Sequence, residues 1–151
     1  MVSFKQIFSE DSAAVDIPAA DKAGALAAAV DVLARNGKVG MPQKLLVEIK
    51  ARESLASTGI GFGVSVPHVL CDEVDEIMGA VLRLKEGVDF NAEDSRPVDL
   101  MFLIAGPKGE TFTHLKLLSK LARLLHDAAF RESLRQAPDG KALAALLYEK
   151  D

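Results

Sequence analysis

His68 is one of three histidines in a chain of 151 residues, and it ends a stretch of distinctive composition. Ser57 to Val69 reads STGIGFGVSVPHV, with glycines at 59, 61 and 63, a β-branched alternation, and then Pro67 and His68. A neutral imidazole has a lone pair able to attack phosphorus, and phosphoryl transfer asks a protein chiefly for in-line placement and charge neutralisation. Pro67 has no amide N–H to give a ladder, so the pattern predicts a strand ending there, with His68 set out at the end of a sheet. The glycines suit either a phosphate cradle or a turn before a strand. A dinucleotide fingerprint is excluded because Val64 stands where its last glycine is required, and a Walker A loop because the G-K-[ST] ending is missing.

Two more residues have the chemistry that a phosphoryl group needs. Stepping about 100° per residue along a helix from Pro42 to about Ser57 puts Leu45, Ile49 and Ala56 on one face, with Arg52 in that stripe. A buried guanidinium stays charged and demands an anion; the alternative is an arginine snorkelling out of the last helical turn. Along a later helix capped by Thr113, Leu117, Leu118, Leu121 and Leu125 face inward with His114 among them in the first turn, whereas His126 lies off that face. The positive end of the helix dipole is expected to lower the pKa of His114 and keep it neutral. It then serves either as a packed core histidine or as a donor toward an anion.

Other chemistries find less support. A hydrolase triad lacks the G-x-S-x-G elbow, and Ser65 lies inside the strand-like run. A metal set of His68, Cys71, Asp72 and His114 would rest on the H-x-x-C spacing alone. The site is therefore expected to hold neither a metal nor a cofactor.

The elements that must position these residues follow from pattern. Asp21 caps a helix to about Arg35, ended by Asn36 and Gly37. Short extended segments from Ile60 to Val66 and strands over Glu76 to Leu84 and Pro97 to Gly106 come next. The nearly continuous apolar run of PVDLMFLIAG marks a central strand covered on both faces. Ala128 to about Gln136 is helical, Pro138, Asp139 and Gly140 break the pattern, and Lys141 to Tyr148 closes the chain as a helix. No linker or repeat interrupts this order. The expectation is one α/β domain over residues 1–151, a mixed β-sheet with α-helices on both faces.

Composition agrees and removes several function classes. Hydrophobic residues make up 49% and aromatics 5%, with no Trp, so Leu, Val, Ile and Ala must build the core. A net charge of −4 argues against a nucleic-acid partner. The single cysteine, Cys71, cannot form an internal disulfide. The amino terminus lacks a long apolar signal segment and no run approaches the roughly 20 apolar residues of a membrane helix. A soluble, intracellular protein without membrane insertion is expected.

ARESLASTGIGFGVSVPH (Ala51 to His68), followed by RPVDLMFLIAGPKGETFTHLKLLSKLARLL (Arg96 to Leu125), resembles the IIA domains of the bacterial phosphoenolpyruvate-dependent phosphotransferase system, in the mannitol/fructose and nitrogen-regulatory superfamily. The resemblance runs from about Asp21 to the carboxy terminus. It implies a cytoplasmic phosphocarrier in which His68 accepts a phosphoryl group from the histidine-containing phosphocarrier protein or its nitrogen-branch paralogue. His114 matches the second active-site histidine and Arg52 the arginine beside the phosphate. The TGIGFG form looks like the fructose and nitrogen-regulatory members, and a chain ending at Asp151 without a IIB or membrane segment fits a free-standing regulator with a regulatory target protein. Two alternatives stay open: a IIA subunit passing phosphate to a IIB component for fructose- or mannitol-type uptake, and a binding module of the same fold that is not phosphorylated. Val69 departs from the small residue, often Gly, that commonly follows the active histidine, and its β-branch restricts the backbone there.

Overall fold

Alternation of side chains along two long strands divides the core in two. The computed structural model describes residues 3–151. In it β5 (Met78–Val88) and β6 (Val98–Pro107) run antiparallel at the centre of a six-stranded mixed sheet. Leu100, Phe102 and Ile104 of β6 point into one core, and Met101, Leu103 and Ala105 into the other. Every one of the six is fully buried, as a strand covered on both faces requires.

The helices follow those two faces. α2 (Lys22–Ala34) and α3 (Pro42–Leu55) cover one with Leu26, Val30, Leu33, Leu45 and Ile49. α4 (Thr111–Leu125), α5 (Ala128–Gln136) and α6 (Gly140–Tyr148) cover the other with Leu117, Leu121, Phe130, Leu134 and Leu143. Local chemistry sets the ends: Asp21, Asp127 and Asp139 each accept a first-turn N–H, and Pro42 opens α3. The expected α/β domain with helices on both faces is what the structure has.

Several boundaries differ from the sequence reading. α4 begins at Thr111, not after a Thr113 cap, because the Glu110 N–H closes a turn onto the Pro107 carbonyl and starts the helix early. A short helix, α1 (Phe4–Ile7), and a long strand, β1 (Phe8–Ile17), precede Asp21, where no element was assigned. β1 pairs parallel with β5.

Pro67 does not end the strand system. β3 (Val64–Ser65) and β4 (His68–Cys71) both pair parallel with β6, at Leu100 to Met101 and then at Ile104 to Pro107. They form one line interrupted at Val66 and Pro67. Proline lacks a donor but keeps its carbonyl, which accepts from the Ile104 N–H at 2.9 Å. His68 is thus the first residue of a strand, set at a defined register.

Candidate active site

The glycine-paced lead-in is a hairpin. β2 (Gly59–Gly61) turns through Phe62 and Gly63, both at positive φ (61° and 76°), and returns antiparallel as β3. Gly61 before them is also at positive φ (89°), and the two central residues, Phe62 and Gly63, make the tight turn whose twist matches the strands. Phe62 pays a steric cost that glycine would avoid, and its neighbours hold it. The Asp94 carboxylate accepts from its N–H at 2.8 Å, and Arg135 Nη2 donates to its carbonyl at 2.5 Å. Backbone N–H groups of Phe62 and Arg96 hold the Asp94 carboxyl below its ordinary pKa. Gly63 is thus a turn residue, whereas Gly59 and Gly61 lie in β2.

α3 positions the start of this segment through a residue the sequence reading passed over. Its inward row is Leu45, Ile49 and Glu53, spaced i, i+4 and i+8, while Ala56 lies past the last turn and is exposed. Arg52 is therefore not on the buried stripe. It is half-buried at its edge, donating from Nη1 to the Ala56 carbonyl at 3.2 Å. Glu53, 4% exposed at its side chain, accepts from Thr58 N–H at 3.0 Å and Thr58 Oγ1 at 2.6 Å, and pairs with Lys22 Nζ at 2.8 Å. A row of i+4 steps from Leu45 would have found it.

His68 stands where this segment meets α4. Its Nδ1 lies 2.8 Å from the Val66 carbonyl. A carbonyl only accepts, so in the neutral ring Nδ1 carries the proton and Nε2 keeps its lone pair. A cavity of about 250 Å³ opens beside the ring, lined among others by Arg52, Thr58, Ile60 and His68, and by Leu118 and Ala122 from α4. One turn before Leu118 is His114, whose ring centroid is 5.7 Å from that of His68. The structure thus brings His68 and His114 together and puts Arg52 and His68 on one cavity.

His114 is 5% exposed, and neither ring nitrogen has a hydrogen-bond partner among the described residues. Burial first, and then the neighbouring His68, push its pKa down from 6.5 to about 4. The expected direction is right, but burial is the cause where the helix dipole was expected. Its own backbone N–H is used within the helix, bonded to the Glu110 carbonyl at 2.9 Å. A neutral imidazole here still has one N–H to donate, and nothing yet receives it. His126 is exposed and stacks edge-on with Phe62.

The metal set of His68, Cys71, Asp72 and His114 does not assemble. Residues alternate across β4, so Cys71 faces α2 and α3 while His68 faces α4, and Asp72 pairs with Lys108 at 3.3 Å. Val69 also packs into the α2/α3 core, away from the His68 ring.

Comparison with known proteins completes the picture. Residues 6–150 match the family model described as phosphoenolpyruvate-dependent sugar phosphotransferase system, EIIA 2. A nitrogen regulatory protein of Pseudomonas aeruginosa is 34% identical over 149 residues, covering 99% of this chain and 97% of that protein. A fructose-specific EIIA component of the phosphotransferase system from Haloferax volcanii is 36% identical over 132 residues, covering 87% of this chain and 86% of that protein. The crystal structure of the nitrogen regulatory protein IIA-Ntr from Neisseria meningitidis superposes with a TM-score of 0.84 at 31% identity, covering 94% of this chain and 97% of that one. Among the described residues, no helix is long and apolar enough to cross a membrane.

Proposed function

Because the chain belongs to the phosphoenolpyruvate-dependent sugar phosphotransferase system EIIA 2 family, we propose that it is a histidine phosphocarrier acting as one domain over residues 1–151, with His68 as the phosphoacceptor. The observation that carries this reading is an imidazole with its tautomer fixed and Nε2 free, beside a buried imidazole whose N–H has no acceptor among the described residues.

The step balances simply. The Nε2 lone pair of His68 forms a bond to phosphorus as the bond from phosphorus to the donor's imidazole nitrogen breaks, and that nitrogen recovers its lone pair. Nδ1–H stays on the Val66 carbonyl throughout. The incoming group brings a charge of about −1.5 to −2 and several acceptor oxygens. Arg52 supplies a permanent positive charge from the shared cavity, and His114 gives its unused N–H to a phosphoryl oxygen. An unmet buried donor costs about 1–3 kcal/mol, so arrival of the phosphoryl group relieves a penalty that the unmodified protein carries.

The donor in this reading is the histidine-containing phosphocarrier protein or its nitrogen-branch paralogue, and the setting is the cytoplasm. The acceptor is a regulatory target protein, supported by the nearly full-length match to a nitrogen regulatory protein. Output then comes from a changed surface around His68. The fructose-specific relative supports a second reading, transfer to a IIB component. A binding module of the same fold that is never phosphorylated is the third reading, and the Val69 side chain, packed into the α2/α3 core, does not contact the phosphoryl side of His68 in either case.

Incubation with phosphoenolpyruvate, enzyme I and the phosphocarrier tests the proposal. One acid-labile phosphohistidine per chain is expected, bonded through Nε2 by NMR and absent from His68→Gln. Undiminished labelling of His68→Gln overturns it. Transfer onward to a fructose-type IIB at a useful rate would move the protein to the transport reading.

A further inference from the structure

A second cluster of reactive side chains lies on the opposite face of β4 from His68. Cys71 on the strand, Glu73 just after it and Glu48 on α3 bring one sulfur and two carboxylate oxygens within 4.8 Å of one another. Cys71 is 1% exposed, and the Glu73 side chain 4%. Oε2 of Glu73 and Oε2 of Glu48 are both buried without a hydrogen-bond partner. Lys44 Nζ reaches the other Glu73 oxygen at 3.8 Å, too long for a charge-assisted hydrogen bond. Two carboxyl groups and a thiol gathered out of water are unfavourable as anions; a proton held between Glu48 and Glu73 or a cation relieves the repulsion, and one oxygen of each carboxyl stays unmet.

We propose that Glu48, Cys71 and Glu73 form a zinc-binding site. A thiolate with two carboxylates suits Zn²⁺, whereas Mg²⁺ and Ca²⁺ prefer all-oxygen sets. Tetrahedral zinc, with bonds of about 2.3 Å to sulfur and about 2.0–2.2 Å to oxygen, sets ligand atoms about 3.3–3.7 Å apart, a closure that glutamate rotations supply. A water takes the fourth position. Cys71 gives up its proton to solvent as the sulfur binds the ion. Glu48 is the least buried of the three residues. It precedes Arg52 by one helical turn, and Cys71 follows His68 on β4. The ion therefore ties α3 to β4 directly behind the histidine pair, independently of what His68 does.

Cobalt is the probe, as a coloured stand-in for zinc, added to the full chain freed of metal. One Co²⁺ per chain should give a thiolate-to-metal charge-transfer absorption, which reports Cys71 because the chain has one cysteine. Zinc should bleach that band and raise the melting temperature. Glu48→Gln, isosteric at a half-buried position, should weaken cobalt binding on the order of 10–100-fold, Cys71→Ala should abolish the band, and His68→Gln should keep it. Absence of the band from folded wild-type protein at saturating cobalt overturns the proposal. So does binding unchanged in Glu48→Gln, and its loss in His68→Gln would then place the ion at the histidine pair; Glu48→Gln decides even if Cys71→Ala fails to fold.

Discussion

The two helices that meet at His68 treat buried polar groups in opposite ways. On α3, Glu53 is buried and fully engaged, with Thr58 and Lys22 occupying both its oxygens. On α4, His114 is equally buried, and neither of its ring nitrogens has a hydrogen-bond partner among the described residues. Satisfied networks fix geometry, and unsatisfied groups keep capacity for a partner that arrives later. The α3 side is thus scaffold, holding the strand entry in register, and the α4 side is kept ready for chemistry. His68, bonded at Nδ1 and free at Nε2, combines both treatments in one ring.

Removing Glu53 should break the scaffold side most severely. Glu53→Ala leaves the Thr58 N–H unmet and takes the anion from Lys22, which keeps only the Phe90 carbonyl at 3.4 Å, and is expected to cost about 3 kcal/mol, the lower end for a broken buried pair because Lys22 is partly exposed. Urea unfolding would show it as a lowered midpoint. Glu53→Gln can still accept from Thr58 and should lose only about 1 kcal/mol. Equal losses in the two variants would mean that the Lys22 pair, and not the Thr58 bonds, holds the segment.

His114 should show the opposite signature. Its pKa falls from 6.5 to about 4 on folding, so between those values the unfolded chain binds more protons than the folded one. Stability must therefore rise with pH across that window and flatten above it, by about 3 kcal/mol in all. His114→Leu should erase that slope and, at neutral pH, hold or gain about 1 kcal/mol, since an unmet polar group is gone. Phosphotransfer should fall on the order of 100-fold. Paired unfolding curves and transfer rates at several pH values check both halves. A strongly destabilised His114→Leu at neutral pH would make this imidazole a structural member of the core.

The same division explains what the sequence made legible. Caps and apolar periodicity marked α2, α3, α5 and α6, because Asp21, Pro42 and the leucine rows act within a few residues of where they stand. β1 left no such trace. Its FSEDSAAVDI run has irregular register against β5, and Ser12 is buried through a bond to the distant Leu33 carbonyl at 3.1 Å. Parallel pairing is a long-range property, invisible to local pattern. At the site, His68 and His114 were legible from position and helical face. Glu53 was within reach, but counting Ala56 as part of the α3 face rotated the stripe toward Arg52. The Val66 carbonyl could not be read at all, since the His68 side-chain rotamer decides which backbone oxygen its ring meets.

Arg52 gives the smallest effect on stability and the sharpest separation of the two roles. It has one hydrogen bond, to a carbonyl just past the helix end, and lines the cavity beside His68. Arg52→Ala should cost less than about 1 kcal/mol, as exposed single contacts do, while transfer to His68 falls roughly tenfold, the equivalent of about 1.4 kcal/mol in the transition state. Arg52→Lys retains the charge without the planar fork and should recover part of that rate. If Arg52→Ala instead lowered the urea midpoint as far as Glu53→Ala with no change in rate among the folded molecules, the guanidinium would be closing the end of α3. The positive charge facing the phosphoryl group would then have to come from elsewhere, and the division between a satisfied scaffold and an available site would have to be redrawn with Arg52 on the α3 side.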